Sequence, residues 1–219
     1  MTVHPRPRVR AATSSPGPTR LPRGFFSRPT LDVAKELLGQ RLVRVDRGSR
    51  VSGWIVETEA YVGARDLGCH ARVGRTPRNE VMWGLAGHAY VYFTYGMHWC
   101  LNVVTEEAGF PAAVLIRALR PVEGLIRMRR RRGEVPEVHL VDGPAKLCQA
   151  LAIDGRFNGH DLCVAGARLF VESGRDLPNG KVTAGPRVGL NTVPEPWKSK
   201  PWRFRLLTPD PPLTQGDFS

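Results

Sequence analysis

No apolar run in this chain approaches the roughly 18 to 20 residues that a helix needs to cross a bilayer, and its N-terminus has no apolar core of the secretory kind. Both absences point to a soluble intracellular protein, cytoplasmic and nucleoid-associated in a bacterium or nuclear in a eukaryote. Cysteine is scarce, with four in 219 residues. Cys69, Cys100, Cys148 and Cys163 form no CxxC pair, which predicts reduced thiols rather than a disulfide or zinc framework. A mixed site of Cys69, His70 and the distant Cys163 is the one remaining metal arrangement, and a poor one. Acids are missing from residues 1–30, which hold six arginines. Lysine is rare as well, five against 27 arginines.

A chain of this length that is 42% hydrophobic can bury a substantial core, and it fits one domain. Its formal charge of +12 is concentrated in the first 30 residues and in RMRRRR at 127–132, leaving the remainder close to neutral. Basic segments on a neutral body suit a polyanion, because each neutralised phosphate releases condensed counterions. The RMRRRR cluster reads equally well as a solvated helix end diluted by Glu123, Glu134 and Glu137.

Residues 1–23 are Pro, Ser, Thr and Arg with little aliphatic content, and they predict a disordered basic tail. Pro5, Pro7, Pro16 and Pro18 disfavour the amphipathic helix of a transit peptide. Thr30 to Leu38 has a helical apolar face, with Thr30 as N-cap and Gly39 as the stop. Strands are predicted at 41–46 and from 51 into ETEAY (57–61), joined by a tight turn. Residues 62–80, which carry His70, read as a surface loop. HAYVYFTYGMHWCLNVV (88–104) alternates as a hairpin, with Tyr90 and Tyr92 on one face and Tyr95, Gly96 and Met97 at the tip. Further on, 114–120 predicts a strand stopped by Pro121, 122–132 a helix, and 142–153 a helix capped by Asp142 with Pro144 in its first turn. Short strands are expected at 169–172, 187–190 and 204–207. Together these give an α+β fold: one compact domain over 24–219, a mixed, mostly antiparallel sheet with a protruding hairpin, and flanking helices.

Glu57 and Glu59 share a strand face, as surface carboxylates often do. Two neighbours on one strand cannot flank a bond across the roughly 5 to 9.5 Å that a paired-carboxylate glycosidase requires. The aromatic stripe alone would read as core, and Asn102 is a mild misfit in a strand.

The blocks WIVETEAYVGARDLGCHAR, RTPRNEVMW, AYVYFTYGMHWCLNVV, VLIRALRPVEG, DGPAKLCQAL and KPWRF together resemble the alkyladenine (methylpurine) DNA glycosylase family, in the family's order from about Arg23 to Leu206. That resemblance implies a monofunctional enzyme of base excision repair, acting as a monomer without metal or cofactor on damaged purines in double-stranded DNA. It assigns water activation to Glu59 and the walls of a base pocket to Tyr61, His70 and Tyr92. Asn102 excludes the 2-amino group of guanine, and Arg117 supports the pocket. Tyr95, with Met97, becomes the wedge that fills the gap left by an extruded nucleotide. Glu57 inherits no catalytic role. Arg187, and more weakly Arg129, Arg130 and Arg131, are candidates for the DNA backbone. His98-Trp99 departs from the family pattern beside the wedge.

Competing classes are a non-catalytic lesion-binding protein, whose signature would be loss of Glu59, and a zinc nucleobase deaminase, whose HxE and PCxxC strings are missing. A Schiff-base lyase lacks its amine, since no lysine stands in the blocks around Glu59, Tyr92 and Asn102.

Overall fold

The computed structural model describes residues 18–174 and 182–207. Its centre is an antiparallel sheet of eight strands. These are β1 (Arg41–Asp46), β2 (Ser49–Val62), β3 (Ala89–Thr94), β4 (His98–Val104), β5 (Ala112–Glu123), β6 (Leu169–Glu172), β7 (Val182–Gly185) and β8 (Arg203–Leu206). They lie in the order β3-β4-β5-β2-β1-β6, with β8 pairing both β2 and β7. Helices α1 (Arg23–Phe26), α2 (Thr30–Glu36), α3 (Leu125–Arg132) and α4 (Pro144–Leu151) accompany the sheet. The α+β expectation holds.

The long strand β2 organises the sheet. Its first part pairs with β1 (Trp54 opposite Arg41), its later part with β8 (Glu59 opposite Arg203), and most of its length with β5. ETEAY therefore lies inside the strand, which runs on to Val62. β5 does not stop at Pro121 but continues to Glu123. Pro121 is tolerated because the ladder slips beside Gly53, its partner. A side chain at Gly53 would meet the Arg120 carbonyl oxygen at 2.7 Å.

α2 buries Val33 and Ala34, with Leu37 and Leu38 completing that face, and Gly39 at φ 79° ends the run. Thr30 is the first helical residue rather than the cap; its N–H and hydroxyl both donate to Glu106. α4 begins at Pro144 as expected, but Gly143 stands at its N-cap, because the Asp142 carboxylate accepts from Lys146 and pairs with His139. Leu147, Cys148, Ala150 and Leu151 close one core with Leu101, Ile116 and the α2 face.

Three further expectations give way to the structure. Residues 19–23, assigned to the disordered tail, line the edge of β6: Leu21 N–H donates to Val171 at 2.9 Å and Arg20 bridges to Glu172. Residues 1–17 of that tail lie outside the described residues. The loop at 62–80 is not a simple surface loop, since Asp66, Cys69, Ala71 and Asn79 are all buried. Residues 187–190 form a turn after β7 instead of a strand.

The hairpin protrudes as predicted. β4 meets β5 only from Asn102 to Val104, so the part nearer the tip pairs only with β3. Met97 N–H donates to the Thr94 carbonyl across Tyr95 (φ 52°) and Gly96 (φ 67°), the left-handed pair of a type I′ turn. Trp99 braces the base of this finger, stacking on Phe93 at 4.7 Å and lying so close to Gly155 that any side chain there would collide.

Candidate active site

Where β2 faces the hairpin and the turn at 187–190, a cavity of about 180 Å³ opens, walled by Tyr61, His70, Tyr90, Tyr92, Asn102 and Val188. Each wall has its own support. Tyr90 and Tyr92 come from one face of β3, their rings 5.4 Å apart. The His70 ring stands edge-on to Tyr92 at 4.5 Å, with Nδ1 2.9 Å from the Tyr90 hydroxyl. His70 is fixed by Asn79, whose side-chain N–H groups donate to the carbonyls of His70 and Gly74. Burial, with Arg78 and Arg72 nearby, pulls the His70 pKa down to about 4, so the imidazole is neutral at physiological pH. Asn102 is 4% exposed and donates to the Tyr90 carbonyl at 3.1 Å, which orients its amide at the cavity wall.

Glu59 lies directly behind this wall with no exposed surface. Its Oε1 accepts the Val188 N–H at 2.7 Å and its Oε2 the Tyr61 hydroxyl at 2.9 Å. Arg117 Nη1 approaches Oε2 at 3.3 Å while its Nε donates to Glu57 at 2.9 Å, so one guanidinium spans both carboxylates. Burial raises the Glu59 pKa above its ordinary value; Arg117, the Val188 N–H and the Tyr61 hydroxyl oppose that rise. The result is a desolvated carboxylate with raised proton affinity whose two oxygens are oriented by donors, an arrangement suited to taking a proton. Burial also raises the Tyr61 and Tyr92 hydroxyl pKa values, to which Glu59 adds at Tyr61 and Cys100 at Tyr92, so both remain neutral donors.

A family model described as methylpurine-DNA glycosylase matches residues 24–209, most of the chain. The chain belongs to the methylpurine-DNA glycosylase family. Among its curated relatives, a protein of Methanocella arvoryzae is 50% identical over 185 residues, covering 84% of this chain and 90% of its own. One of Carboxydothermus hydrogenoformans is 50% identical over 186 residues (85% and 94%), and one of Myxococcus xanthus 48% over 184 (84% and 88%). All three are provisionally named 3-methyladenine DNA glycosylase.

Of the residues that the family resemblance singled out, Glu59, Tyr61, His70, Tyr92, Asn102 and Arg117 converge here. Tyr95 and Met97 stand at the hairpin tip, 82% and 66% exposed. Arg187 does not belong with the DNA-facing residues. Its side chain is buried and forked onto Asp66 (2.5 and 2.8 Å), donates to the Ala60 carbonyl, and packs between the Tyr61 and Trp202 rings. A phosphate cannot reach it. Gly68 has to be small because this guanidinium crosses 2.7 Å from where its Cβ would stand. Arg129, Arg130 and Arg131 sit on α3, which packs near the start of β2, whereas Glu59 and Tyr61 lie near its other end.

Val188, Asp66, Asn79 and Tyr90 are the site residues that sequence reasoning missed. A signal existed for Tyr90, which shares the Tyr92 face. None existed for the other three, whose roles rest on loop positions and, for Val188, on a backbone N–H. Cys69, beside His70, is a passive wall: burial pushes its thiol to about 11 and its sulfur accepts from Ala71 N–H. Among the described residues no three His, Cys, Asp or Glu side chains gather as a metal site, and no helix is long and apolar enough to cross a membrane.

Proposed function

We propose that the protein extrudes alkylated or deaminated purine nucleotides from duplex DNA and hydrolyses the N-glycosidic bond with water activated by Glu59. The observation that carries this reading is the buried Glu59 carboxylate, held by three donors directly behind a small aromatic cavity. The extruded base enters between Tyr61 and Tyr92, beside neutral His70. A ring-alkylated purine is cationic, and a cation over a tyrosine face gains about 0.5 to 2 kcal/mol that a normal purine does not.

Water takes the place of the Tyr61 hydroxyl at Glu59 Oε2. Its oxygen bonds to the anomeric carbon as the carbon–nitrogen bond breaks; the bonding electrons neutralise the purine, and Glu59 accepts the water proton. A ring-alkylated cationic base leaves neutral without a general acid, whereas an uncharged deaminated purine such as hypoxanthine must take up a proton from solvent as it leaves; in neither case is a second carboxylate used, and Glu57 is free to pair with Arg117. Tyr95 and Met97 enter the stack from the hairpin tip and hold the gap. The machinery is complete within one chain, which supports a monomer working wherever the cell keeps its DNA.

Single-turnover assays on duplexes carrying 3-methyladenine, 7-methylguanine, hypoxanthine or ethenoadenine test this. Free base should appear from at least one of them while the sugar–phosphate backbone stays intact. Tight lesion binding with no release in any duplex would instead make it a lesion-binding protein of the same fold.

A further inference from the structure

A second concavity, of about 600 Å³, lies at the opposite end of β2 from the base pocket, between the β1–β2 turn, α3 and the loop after α4. Seven arginines line it, with Asp46 as the single acid of the lining. The ten residue steps of strand from Ser49 to Glu59 put roughly 30 Å between the two sites.

The charge here is not balanced internally. Asp46 is shared by Arg131 at 2.5 Å, Arg127 at 3.6 Å and Arg44 at 3.7 Å. Arg156 is paired to Asp154 beside the lining. Arg47, Arg130 and Arg168 are exposed, and among the described residues none has a carboxylate partner. Arg44 is 6% exposed, and its Nε is buried with nothing to donate to. Burial lowers its pKa, and Arg168, Arg131 and Arg156 lower it further against the pull of Asp46. Arg47 also holds φ at 49°, a left-handed conformation that a residue with a Cβ seldom adopts. A fold that gathers guanidiniums at this cost in self-repulsion leaves a site of unmet positive potential.

The lining contains no aromatic ring and only small aliphatic groups, Val45 and Ala152. A nucleobase or an acyl chain would find nothing to pack on. Guanidinium forks match phosphate oxygens, which carry the backbone contacts of nucleic acids without reading sequence. We propose that this basin grips the phosphate backbone of a second stretch of duplex DNA while the first occupies the base pocket, so that one molecule bridges two segments. The proposal takes duplex DNA as the pocket's ligand from the function above, and the bridging measurement itself needs neither lesion nor cleavage.

The test uses the full chain and a triple variant, Arg47→Ser, Arg130→Ser and Arg168→Ser, in which the altered side chains are exposed and hold no carboxylate. Two undamaged duplexes, one with a donor dye and one with an acceptor, are mixed with protein and energy transfer is read against salt. Wild type should bring them together. The variant should bridge at least tenfold less well, with the slope of log affinity against log salt smaller by about 2 to 3, while base release from a short lesion duplex is unchanged. Equal bridging by both proteins, or none by wild type, overturns the proposal. So does binding of inorganic tripolyphosphate at the basin without capture of a second duplex, which would mark a small-anion pocket. Bridging without base release from any lesion would instead overturn only the proposed function.

Discussion

The backbone N–H of Val188 donates to Glu59 Oε1 at 2.7 Å across 129 residues of sequence. The base of the proposed reaction is thus aimed by a turn that has no other chemistry of its own. That turn is anchored one residue earlier, where Arg187 locks onto Asp66 and the Ala60 carbonyl. Catalytic geometry and loop stability are joined at adjacent residues.

Replacing Glu59 by Gln should abolish base release while lesion binding stays within a few-fold, because the amide fills the same space without accepting a proton. The pH dependence follows from its raised pKa. The favourable contribution of this carboxyl to stability is present below its unfolded value of 4.5 and is lost as pH rises through the folded value, since the folded protein binds the proton more tightly. At neutral pH Glu59→Gln should therefore melt no lower than wild type, and the wild-type rate should fall on the acid side with a midpoint above 4.5. Calorimetry and a pH–rate profile read both; near wild-type turnover in the variant would end the mechanism.

Arg187→Met should destabilise the fold by about 3 to 5 kcal/mol, the cost of leaving the buried Asp66 charge unpaired. Adding Asp66→Asn should recover part of it. Denaturant unfolding of the single and double variants measures this; a phosphate contact at Arg187 would instead weaken DNA binding and leave the unfolding midpoint in place.

Arg187 also marks where sequence reading ran out. Most strands and the hairpin with its exposed tip were legible, since alternation and turn residues are local signals, whereas Glu59 and the tyrosines of the pocket were singled out only by the family resemblance. An arginine in a basic protein looks the same whether it meets a phosphate or a buried aspartate 121 residues away. Pro121 misled for a related reason, because the slip that admits it is set by Gly53 on another strand. The Val188 contribution is a backbone atom, and the side chain there says nothing of it.

His70 should titrate near 4 rather than 6.5 when its ring protons are followed by NMR. With a depressed pKa, its contribution to stability is present above 6.5 and is lost as pH falls through about 4. Base release should accordingly show no step near 6.5 from this residue. A midpoint above 6 would mean a charged imidazole that repels cationic purines.

Asn102→Ser should increase release of normal guanine from undamaged duplex while lesion release stays within about tenfold, or about 1.4 kcal/mol in the barrier. The shorter side chain vacates the cavity wall but leaves Tyr61, Tyr92 and Glu59 in place. The gain should be modest, since neutral guanine leaves poorly. Free guanine measured by chromatography decides it, and no increase in an otherwise active variant would remove Asn102 as the gate.

The backbone at Tyr95 is left-handed, with φ at 52°. A bulky aromatic residue is a poor occupant of that conformation, which Asn or Gly adopts with far less strain. A tyrosine at this position strains the turn where Asn or Gly would not, and under the proposed function that strain is the cost of presenting the exposed ring to the DNA stack. Replacing Tyr95 by Asn to gain heat resistance would therefore relieve the turn while removing the ring that the proposed function relies on.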